Sequence, residues 1–290
     1  MAVDPSTYVA PTAVVHPEAS VGPGCHIGEF CVIERDVEIG TECRLEPYVF
    51  VKRWTTMGDR NEISAGTVLG TDPLDKSFTG ERSYLRMGSG NRIREHFTVS
   101  RGTKPESVTL IGDNNYVMTS GHIAHNCVVG NNVVIASCSL VSGYVEVEDG
   151  AFVSGGVAIH QFSKIGRLSM VGGHSGVNLD VPPFLMTVGF RVKAIGPNTV
   201  GMRRAGYKSA DVLAVKEAFR LLYMSGLPRE EVLARLEAGP AVSREIAAFV
   251  QSSKRGICPA RRKSIRRTDE LATGEATDGE TEDAGDSAPE

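Results

Sequence analysis

The chain has 290 residues, 41% of them hydrophobic, and a formal net charge of −4, so it can bury a sizeable core. It has no apolar run near the ~18 residues of a membrane span and no basic-then-apolar N-terminal signal. We therefore expect a soluble, cytoplasmic protein without stable membrane insertion, and the ordinary charge balance predicts no nucleic-acid partner. The six cysteines show no CxxC pair and no metal-finger spacing, which predicts free thiols in a reducing compartment.

From its N-terminal end the chain repeats an aliphatic residue, or methionine, at every sixth position. Six residues are too few for a helix pair, and so strict a period predicts a β-solenoid in which three six-residue sides form one triangular coil. Glycine often follows the repeat position, where we expect it to fit tight corners. The repeat positions are Val9, Val15, Val21, Ile27, Ile33, Ile39, Leu45, Val51, Met57, Ile63, Leu69, Met87, Ile93, Val99, Ile111, Val117, Ile123, Val129, Ile135, Val141, Val147, Val153, Ile159, Ile165, Val171 and Val177.

Two interruptions of the period predict loops at 71–86 and 100–110. Loops that leave a rigid scaffold commonly carry function. The first loop contains Asp75 and Lys76, and the second begins with Arg101-Gly102-Thr103.

After the repeat fades, the chain reads as extended to about residue 197 and then changes to a helical period. Ser209 is a plausible N-cap for a helix over Ala210–Met224, and Pro228 opens a second helix. Ser243 is expected to cap a last helix to about Ser253. We therefore predict a β-solenoid over 1–190 and a small α-helical C-terminal domain over 191–257.

The end of the chain is strongly biased in charge. Residues 254–267 hold seven Lys/Arg and no acid, and residues 268–290 hold nine acids and no Lys/Arg. This composition, without aromatic residues in the acidic part, predicts a disordered basic-then-acidic tail over 258–290.

The segment 121–127 places His122 and His125 three residues apart, with Asn126 directly after the second. A lone histidine is more often structural than functional. Because Ile123 points into the core, however, both histidines should lie on the outside of the prism. There they are available to a substrate or to a neighbouring subunit.

Several segments together resemble the bacterial UDP-N-acetylglucosamine acyltransferases, over about residues 8–257. The solenoid alone would indicate only the hexapeptide-repeat superfamily, whereas the combination with the histidine block is more specific. The segments are His122-Ile123-Ala124-His125-Asn126-Cys127, Ala158-Ile159-His160-Gln161-Phe162, Met170-Val171-Gly172-Gly173, Asp180-Val181-Pro182-Pro183, Gly196-Pro197-Asn198, Arg203-Arg204, Arg94-Glu95 and Arg101-Gly102-Thr103.

The resemblance implies a left-handed parallel β-helix of hexapeptide repeats that forms a homotrimer with active sites between subunits. It implies transfer of an (R)-3-hydroxyacyl group from acyl carrier protein to the glucosamine 3-hydroxyl of UDP-N-acetylglucosamine, the first step of lipid A synthesis. No cofactor or metal is implied.

The resemblance also assigns roles to residues. His125 matches the general base, Asn126 the residue that orients it and Gly143 the oxyanion donor. Gly173, with His174 beside it, matches the position that limits acyl length. The positions that match substrate contacts are Asp75, Lys76, His122, Tyr144, His160, Gln161, Asn198 and Arg204.

The chain departs from the family pattern at several of these positions. The family commonly has Asp where Asn126 stands, His at Tyr144 and Glu at Val200. Lys76 directly follows Asp75, where the family has one residue between them, and His174 stands where a small residue is common. These departures leave a 3-amino sugar nucleotide open as the acceptor.

Three other interpretations compete with this one. A solenoid carbonic anhydrase would bind zinc through histidines such as His122, His125 and His160. A sister N-acyltransferase would carry an added N-terminal uridine-binding domain, whereas here the repeat begins at Val9. An inactive or purely structural solenoid would tolerate Tyr144 and Val200.

Overall fold

The computed structural model describes residues 3–261. Its strands are β1 Tyr8–Val9, β2 Val14–Val15, β3 Ser20–Val21, β4 His26–Ile27, β5 Val32–Ile33, β6 Glu38–Ile39, β7 Arg44–Leu45, β8 Phe50–Val51, β9 Thr55–Met57, β10 Glu62–Ile63, β11 Val68–Thr71, β12 Tyr84–Met87, β13 Arg92–Ile93, β14 Thr98–Ser100, β15 Val108–Ile111, β16 Tyr116–Val117, β17 His122–Ile123, β18 Val128–Val129, β19 Val134–Ile135, β20 Leu140–Val141, β21 Glu146–Val147, β22 Phe152–Val153, β23 Ala158–Ile159, β24 Lys164–Ile165, β25 Met170–Val171, β26 Gly176–Val177, β27 Leu185–Val188 and β28 Lys193–Pro197.

These strands form three sheets that wind into a left-handed β-helix, which confirms the predicted fold. Among the described residues, all strand pairs are parallel except the final pair, β27 and β28, which is antiparallel. Each strand pairs with the strand one coil later, so that Val9 lies beside Ile27 and Ile123 lies beside Val141. The sheets have the orders β1-β4-β7-β10-β13-β16-β19-β22-β25-β27-β28, β2-β5-β8-β11-β14-β17-β20-β23-β26 and β24-β21-β18-β15-β12-β9-β6-β3.

The repeat residues form a continuous core along the axis. Ile27, Leu45 and Ile63 stack in successive coils, and each is fully buried. Since the preceding residue of each strand points outward, one side chain of every short strand belongs to the core and the other to the surface.

The glycines after the repeat positions are explained by close packing between coils. A β-carbon on Gly22 would lie 2.6 Å from the carbonyl oxygen of Gly40, and one on Gly40 would meet Gly58 in the same way. Most tight corners, which we expected glycine to occupy, instead hold larger residues in the left-handed region, with φ between 51° and 64°. The coil closure therefore imposes this conformation even where the side chain does not favour it.

A row of polar side chains runs inside one corner of the β-helix. Asn91 Nδ2 donates to Asn61 Oδ1, and Asn115 Nδ2 donates to Asn91 Oδ1. The row ends where the backbone N–H of Val133 donates to Asn115 Oδ1. The three amides are buried, and this ladder satisfies polar groups that water cannot reach.

Four helices follow the last strand in the described residues: α1 Thr199–Arg204, α2 Ser209–Met224, α3 Arg229–Glu237 and α4 Ala241–Ser252. Ser209 is the first residue of α2 rather than its cap, because Asp211 accepts the backbone N–H of Lys208. Ser243 likewise lies inside α4, which begins directly after Pro240.

An ion pair and a set of hydrogen bonds hold the helices against the β-helix. Arg167 forms an ion pair with Glu245 of α4. Asp180 is buried, accepts the backbone N–H of Lys164 and accepts the hydroxyl of Ser253.

The predicted disordered tail begins too early, because residues 258–261 pair with the body. Cys258 is buried and donates its N–H to Asp180, and Arg261 donates its N–H to Ala194. The remaining part of that prediction, 262–290, lies outside the described residues.

Candidate active site

The corner after β17 carries the centre of the candidate site. Asn126 occupies the left-handed conformation, with φ 59°, and its N–H donates to Thr109 Oγ1 at 2.8 Å. This turn directs the His125 side chain away from the aliphatic core. The side chain is nevertheless only 8% exposed, so His125 is covered and not on an open surface as the sequence led us to expect.

Four groups surround the His125 imidazole. Nδ1 lies 3.1 Å from Asn126 Oδ1, and Nε2 lies 3.8 Å from Asp75 Oδ2. The Tyr144 ring meets the imidazole edge-on, with centroids 5.3 Å apart. The backbone of Gly143 lies against the ring, since a β-carbon there would be 2.4 Å from Cε1.

The backbone N–H of Thr103 determines which atoms of Asn126 and His125 donate hydrogen bonds in this network. The N–H of Thr103 lies 3.0 Å from Asn126 Oδ1 and can only donate, so the atom it faces is the amide oxygen. The Thr103 hydroxyl donates to the same oxygen at 2.9 Å. His125 Nδ1 must then be a donor too, which leaves Nε2 with its lone pair and makes it the basic nitrogen.

Asp75 brings a carboxylate to this basic nitrogen. Its Oδ1 accepts the N–H and the hydroxyl of Ser77, both at 2.8 Å. These hydrogen bonds, led by the backbone N–H, hold the pKa of Asp75 below its usual value, and the neighbouring His125 adds to the effect. The first loop therefore places a carboxylate 3.8 Å from Nε2, whereas residue 126 presents an uncharged amide to Nδ1.

The first loop runs between β11 and β12 and is anchored by Arg101. This guanidinium is 1% exposed, lies over the rings of Trp54 and Phe78 and forms an ion pair with Asp72. The anchor fixes the base of the segment that presents Asp75. Lys76, by contrast, is exposed and has no ion pair in the part of the chain that is described.

His122 lies on β17 with Nδ1 2.7 Å from Thr98 Oγ1. Its Nε2 is buried and has no partner within residues 3–261. Burial lowers the pKa of His122, and its neighbour His125 lowers this pKa further. An unpartnered ring nitrogen beside the basic histidine is suited to a substrate contact.

Tyr144 is tied to the protein on both sides. Its hydroxyl lies 3.2 Å from Thr103 Oγ1, and its ring stacks on Phe162 with centroids 4.9 Å apart. Because the Thr103 hydroxyl donates to Asn126, the Tyr144 hydroxyl is the donor in this contact. The site therefore uses Tyr144 to support Thr103 as well as to cover His125.

The remaining predicted site residues lie apart from His125, and no hydrogen bond or ion pair within residues 3–261 joins them to it. His160 and Gln161 are exposed at a corner two coils further on, and Gly173 and His174 are exposed at another. Arg204 ends α1, and Val200 in the same helix is 55% exposed.

Asn198 has a role that the sequence did not reveal. Its Oδ1 accepts the N–H of Gly201 as the N-cap of α1, and its Nδ2 donates to Leu168 O at 2.9 Å. Asn198 is 7% exposed, and both polar atoms of its side chain are thus engaged within the protein.

Sequence reasoning assigned no role to Thr103 or Thr98, which contact Asn126 and His122, nor to Arg101, which anchors the first loop. Arg101 and Thr103 follow the break in the period, so no repeat position predicts their direction. The clue in the sequence was the Arg101-Gly102-Thr103 segment itself, which matched the family pattern.

The described residues contain no cluster of three or more His, Cys, Asp or Glu that could hold a metal ion. His122 and His125 each engage one ring nitrogen with a polar side chain, Thr98 and Asn126 respectively. Among residues 3–261, no helix is long and apolar enough to cross a membrane.

The fold and the site define a hexapeptide-repeat β-helix protein with a covered histidine set at a corner between two extruded loops. A family model described as UDP-N-acetylglucosamine O-acyltransferase, domain 2, matches residues 180–258. An acyl-[acyl-carrier-protein]–UDP-N-acetylglucosamine O-acyltransferase from Verminephrobacter eiseniae is 39% identical over 263 residues, covering 88% of this chain and 98% of that protein. One from Synechocystis is 39% identical over 222 residues, covering 74% and 80%.

A solved structure agrees with these matches. The UDP-N-acetylglucosamine acyltransferase from Bacteroides fragilis has a TM-score of 0.84 and 31% identity, covering 86% of this chain and 99% of that one. The chain belongs to the UDP-N-acetylglucosamine O-acyltransferase family.

Proposed function

We propose that the protein transfers an (R)-3-hydroxyacyl group from acyl carrier protein to the 3-hydroxyl of UDP-N-acetylglucosamine, the first step of lipid A synthesis. The observation that carries this function is the contact of His125 Nδ1 with the amide oxygen of Asn126, which leaves Nε2 as the basic nitrogen. A sugar hydroxyl has a pKa far above neutrality, so its attack on a thioester needs a base that titrates near pH 7.

The reaction follows from the positions of three groups. His125 Nε2 takes the hydroxyl proton as the sugar oxygen attacks the thioester carbonyl. The carbonyl oxygen becomes an oxyanion beside the N–H of Gly143, which has no acceptor within residues 3–261. Collapse breaks the C–S bond, and the imidazolium returns its proton to the departing thiolate, giving the ester and free thiol.

Asp75 stabilises the imidazolium in this scheme. Asn126 orients the ring but carries no charge, whereas Asp75 Oδ2 lies 3.8 Å from Nε2. An opposite charge at this distance favours the protonated ring that forms during attack.

The remaining roles rest on the family resemblance. His122, Lys76, Tyr144, His160, Gln161, Asn198 and Arg204 are assigned to the substrates, although Asn198 and Tyr144 already have partners within the chain. Gly173 and His174 are assigned to the end of the acyl groove, where Gly173 leaves room for a long chain.

A homotrimer completes the site in this proposal. The outward row of the sheet that carries His122 continues through Leu140, which is 53% exposed, and Ala158. A second copy of the chain would cover this apolar row together with the neighbouring His122. Sedimentation at micromolar concentration tests the assembly, and a stable monomer would contradict it.

The deciding assay mixes the purified full-length protein with (R)-3-hydroxyacyl-acyl carrier protein and UDP-N-acetylglucosamine, with product measured by mass spectrometry. We expect His125→Ala to lower turnover by about 10²–10⁴. His26→Ala, at a histidine stacked on Tyr8 at the N-terminal end, is the control and should keep wild-type turnover.

The same assay with the 3-amino analogue of the acceptor identifies the substrate. Absence of acyl transfer to either acceptor would refute the proposed function. A higher kcat/KM for the amine would keep the mechanism but change the product from an ester to an amide.

A further inference from the structure

Residue 126 is an asparagine, and its amide can face His125 in two ways. In the observed orientation the oxygen accepts from Nδ1. If the amide turned over, its NH₂ group would face Nδ1, which would then have to accept. The proton would move to Nε2, and the nitrogen that faces Asp75 would no longer be a base.

Thr103 distinguishes the two orientations. Its N–H and its hydroxyl lie 3.0 and 2.9 Å from Asn126 Oδ1. If the amide turned over, its NH₂ group would face the N–H of Thr103. Both groups are donors, so neither would have an acceptor. Thr103 is itself held in place, because it is 6% exposed and accepts the Tyr144 hydroxyl at 3.2 Å.

We propose that Thr103 is a positioning residue that keeps His125 in its basic tautomer by holding the amide oxygen of Asn126 toward Nδ1. Tyr144 contributes by donating to Thr103 Oγ1, which directs the threonine proton to Asn126. The kinetic part of this inference rests on the proposed function.

An aspartate at position 126 would remove the need for Thr103. Both carboxylate oxygens accept hydrogen bonds, so a turned carboxylate still accepts from Nδ1. The importance of the Thr103 hydroxyl should therefore depend on which residue occupies position 126. A residue that merely anchors the second loop would matter equally in both cases.

The first test is a double-mutant cycle on kcat with Thr103→Val and Asn126→Asp in the full-length protein. Thr103→Val should lower kcat about three- to tenfold, the value of one hydrogen bond, and Thr103→Ser should restore most of it. In the Asn126→Asp background the effect of Thr103→Val should be less than about twofold, since orientation no longer matters. Equal losses in both backgrounds would overturn the proposal.

The second test needs no turnover. Solid-state ¹⁵N NMR of protein labelled at its seven histidines reports which ring nitrogen carries the proton, and a His125→Gln sample identifies the His125 signals. We expect a protonated Nδ1 in the wild type. In Thr103→Val only the backbone N–H of residue 103 still opposes the turned amide, so we expect a larger fraction of the Nε2-protonated tautomer. The Thr103→Val/Asn126→Asp double variant should recover the wild-type tautomer.

A wild type protonated at Nε2, or an unchanged tautomer in Thr103→Val, would overturn the positioning role. An inactive wild type whose His125 is protonated at Nδ1 and responds to Thr103→Val as expected would instead refute the proposed reaction while leaving the positioning role intact.

Discussion

The imidazole of His125 packs directly on the backbone of Gly143, so that a β-carbon at position 143 would lie 2.4 Å from Cε1 and 2.6 Å from Nε2. Gly143, the residue proposed to donate its N–H to the reacting carbonyl, is thus also the surface on which the proposed base packs. Any side chain at this position must displace the ring.

Gly143→Ala should therefore lower kcat by about 10² or more, approaching the loss of the base itself. Its backbone does not lie in the left-handed region, so alanine fits the turn and little stability should be lost. Gly155→Ala is the control, because its new β-carbon would meet only the carbonyl oxygen of Ser137 at 3.3 Å. A Gly143→Ala enzyme as active as this control would show that the ring can move without cost.

Arg101 should hold the first loop in its observed position against the β-helix. Its guanidinium is buried between Trp54 and Phe78 at 5.1 and 5.2 Å and is paired with Asp72. Each such cation–π contact contributes about 0.5–2 kcal/mol, and Arg101→Met removes both of them together with the ion pair.

We expect Arg101→Met to increase the rate of tryptic cleavage after Lys76 and Arg82, both in the loop, and to lower kcat by misplacing Asp75. Arg53→Met is the matched control, since Arg53 also lies over the Trp54 ring, at 4.2 Å, but is exposed. Equal cleavage rates in the wild type and in Arg101→Met would refute the anchoring role.

The core of the β-helix could be predicted residue by residue, because a fixed six-residue period determines which side chains point inward. Ile123 and Val141 follow that period and stack as expected. The corners could not be predicted in the same way. Asn126 and Tyr144 adopt φ 59° because the coil must close there, not because their side chains prefer it.

The candidate site was predictable only in part for a related reason. The position of His125 follows from the repeat, but Asp75 and Thr103 reach it from loops that leave the repeat. Their contacts depend on the tertiary path of each loop. Asn198, expected to contact the substrate, also caps helix α1, which no sequence pattern indicated.

The buried asparagine ladder should contribute substantially to stability. Asn91 Oδ1 accepts from the N–H and the Nδ2 of Asn115, and Asn91 Nδ2 donates to Asn61. Asn91→Ala would leave buried partners unsatisfied, so we expect a loss of about 1–3 kcal/mol in the free energy of unfolding. Urea denaturation measures this loss.

Asn178→Ala is the control for the ladder, because Asn178 is exposed and its side chain forms no hydrogen bond within residues 3–261. It should change stability by less than about 0.5 kcal/mol. If the two variants unfolded at the same urea concentration, the ladder would contribute nothing beyond ordinary surface contacts.

His122 should make the protein less stable in acid. Burial holds its pKa below 6.5, so the unfolded chain takes up a proton at this ring more readily than the folded chain. The stabilisation from the neutral ring is full above about pH 6.5 and is lost as the pH falls through the lowered folded pKa.

We expect the unfolding free energy to fall less between about pH 7 and pH 5 in His122→Gln than in the wild type. The difference can reach about 1.4 kcal/mol per pH unit, the value that applies when the unfolded chain binds one proton more than the folded chain. Thermal unfolding at fixed protein concentration across this range measures the difference, and His96→Gln, at an exposed histidine, should retain the wild-type pH dependence. If His122→Gln and the wild type lost stability in parallel, burial of His122 would not be the source of the acid sensitivity.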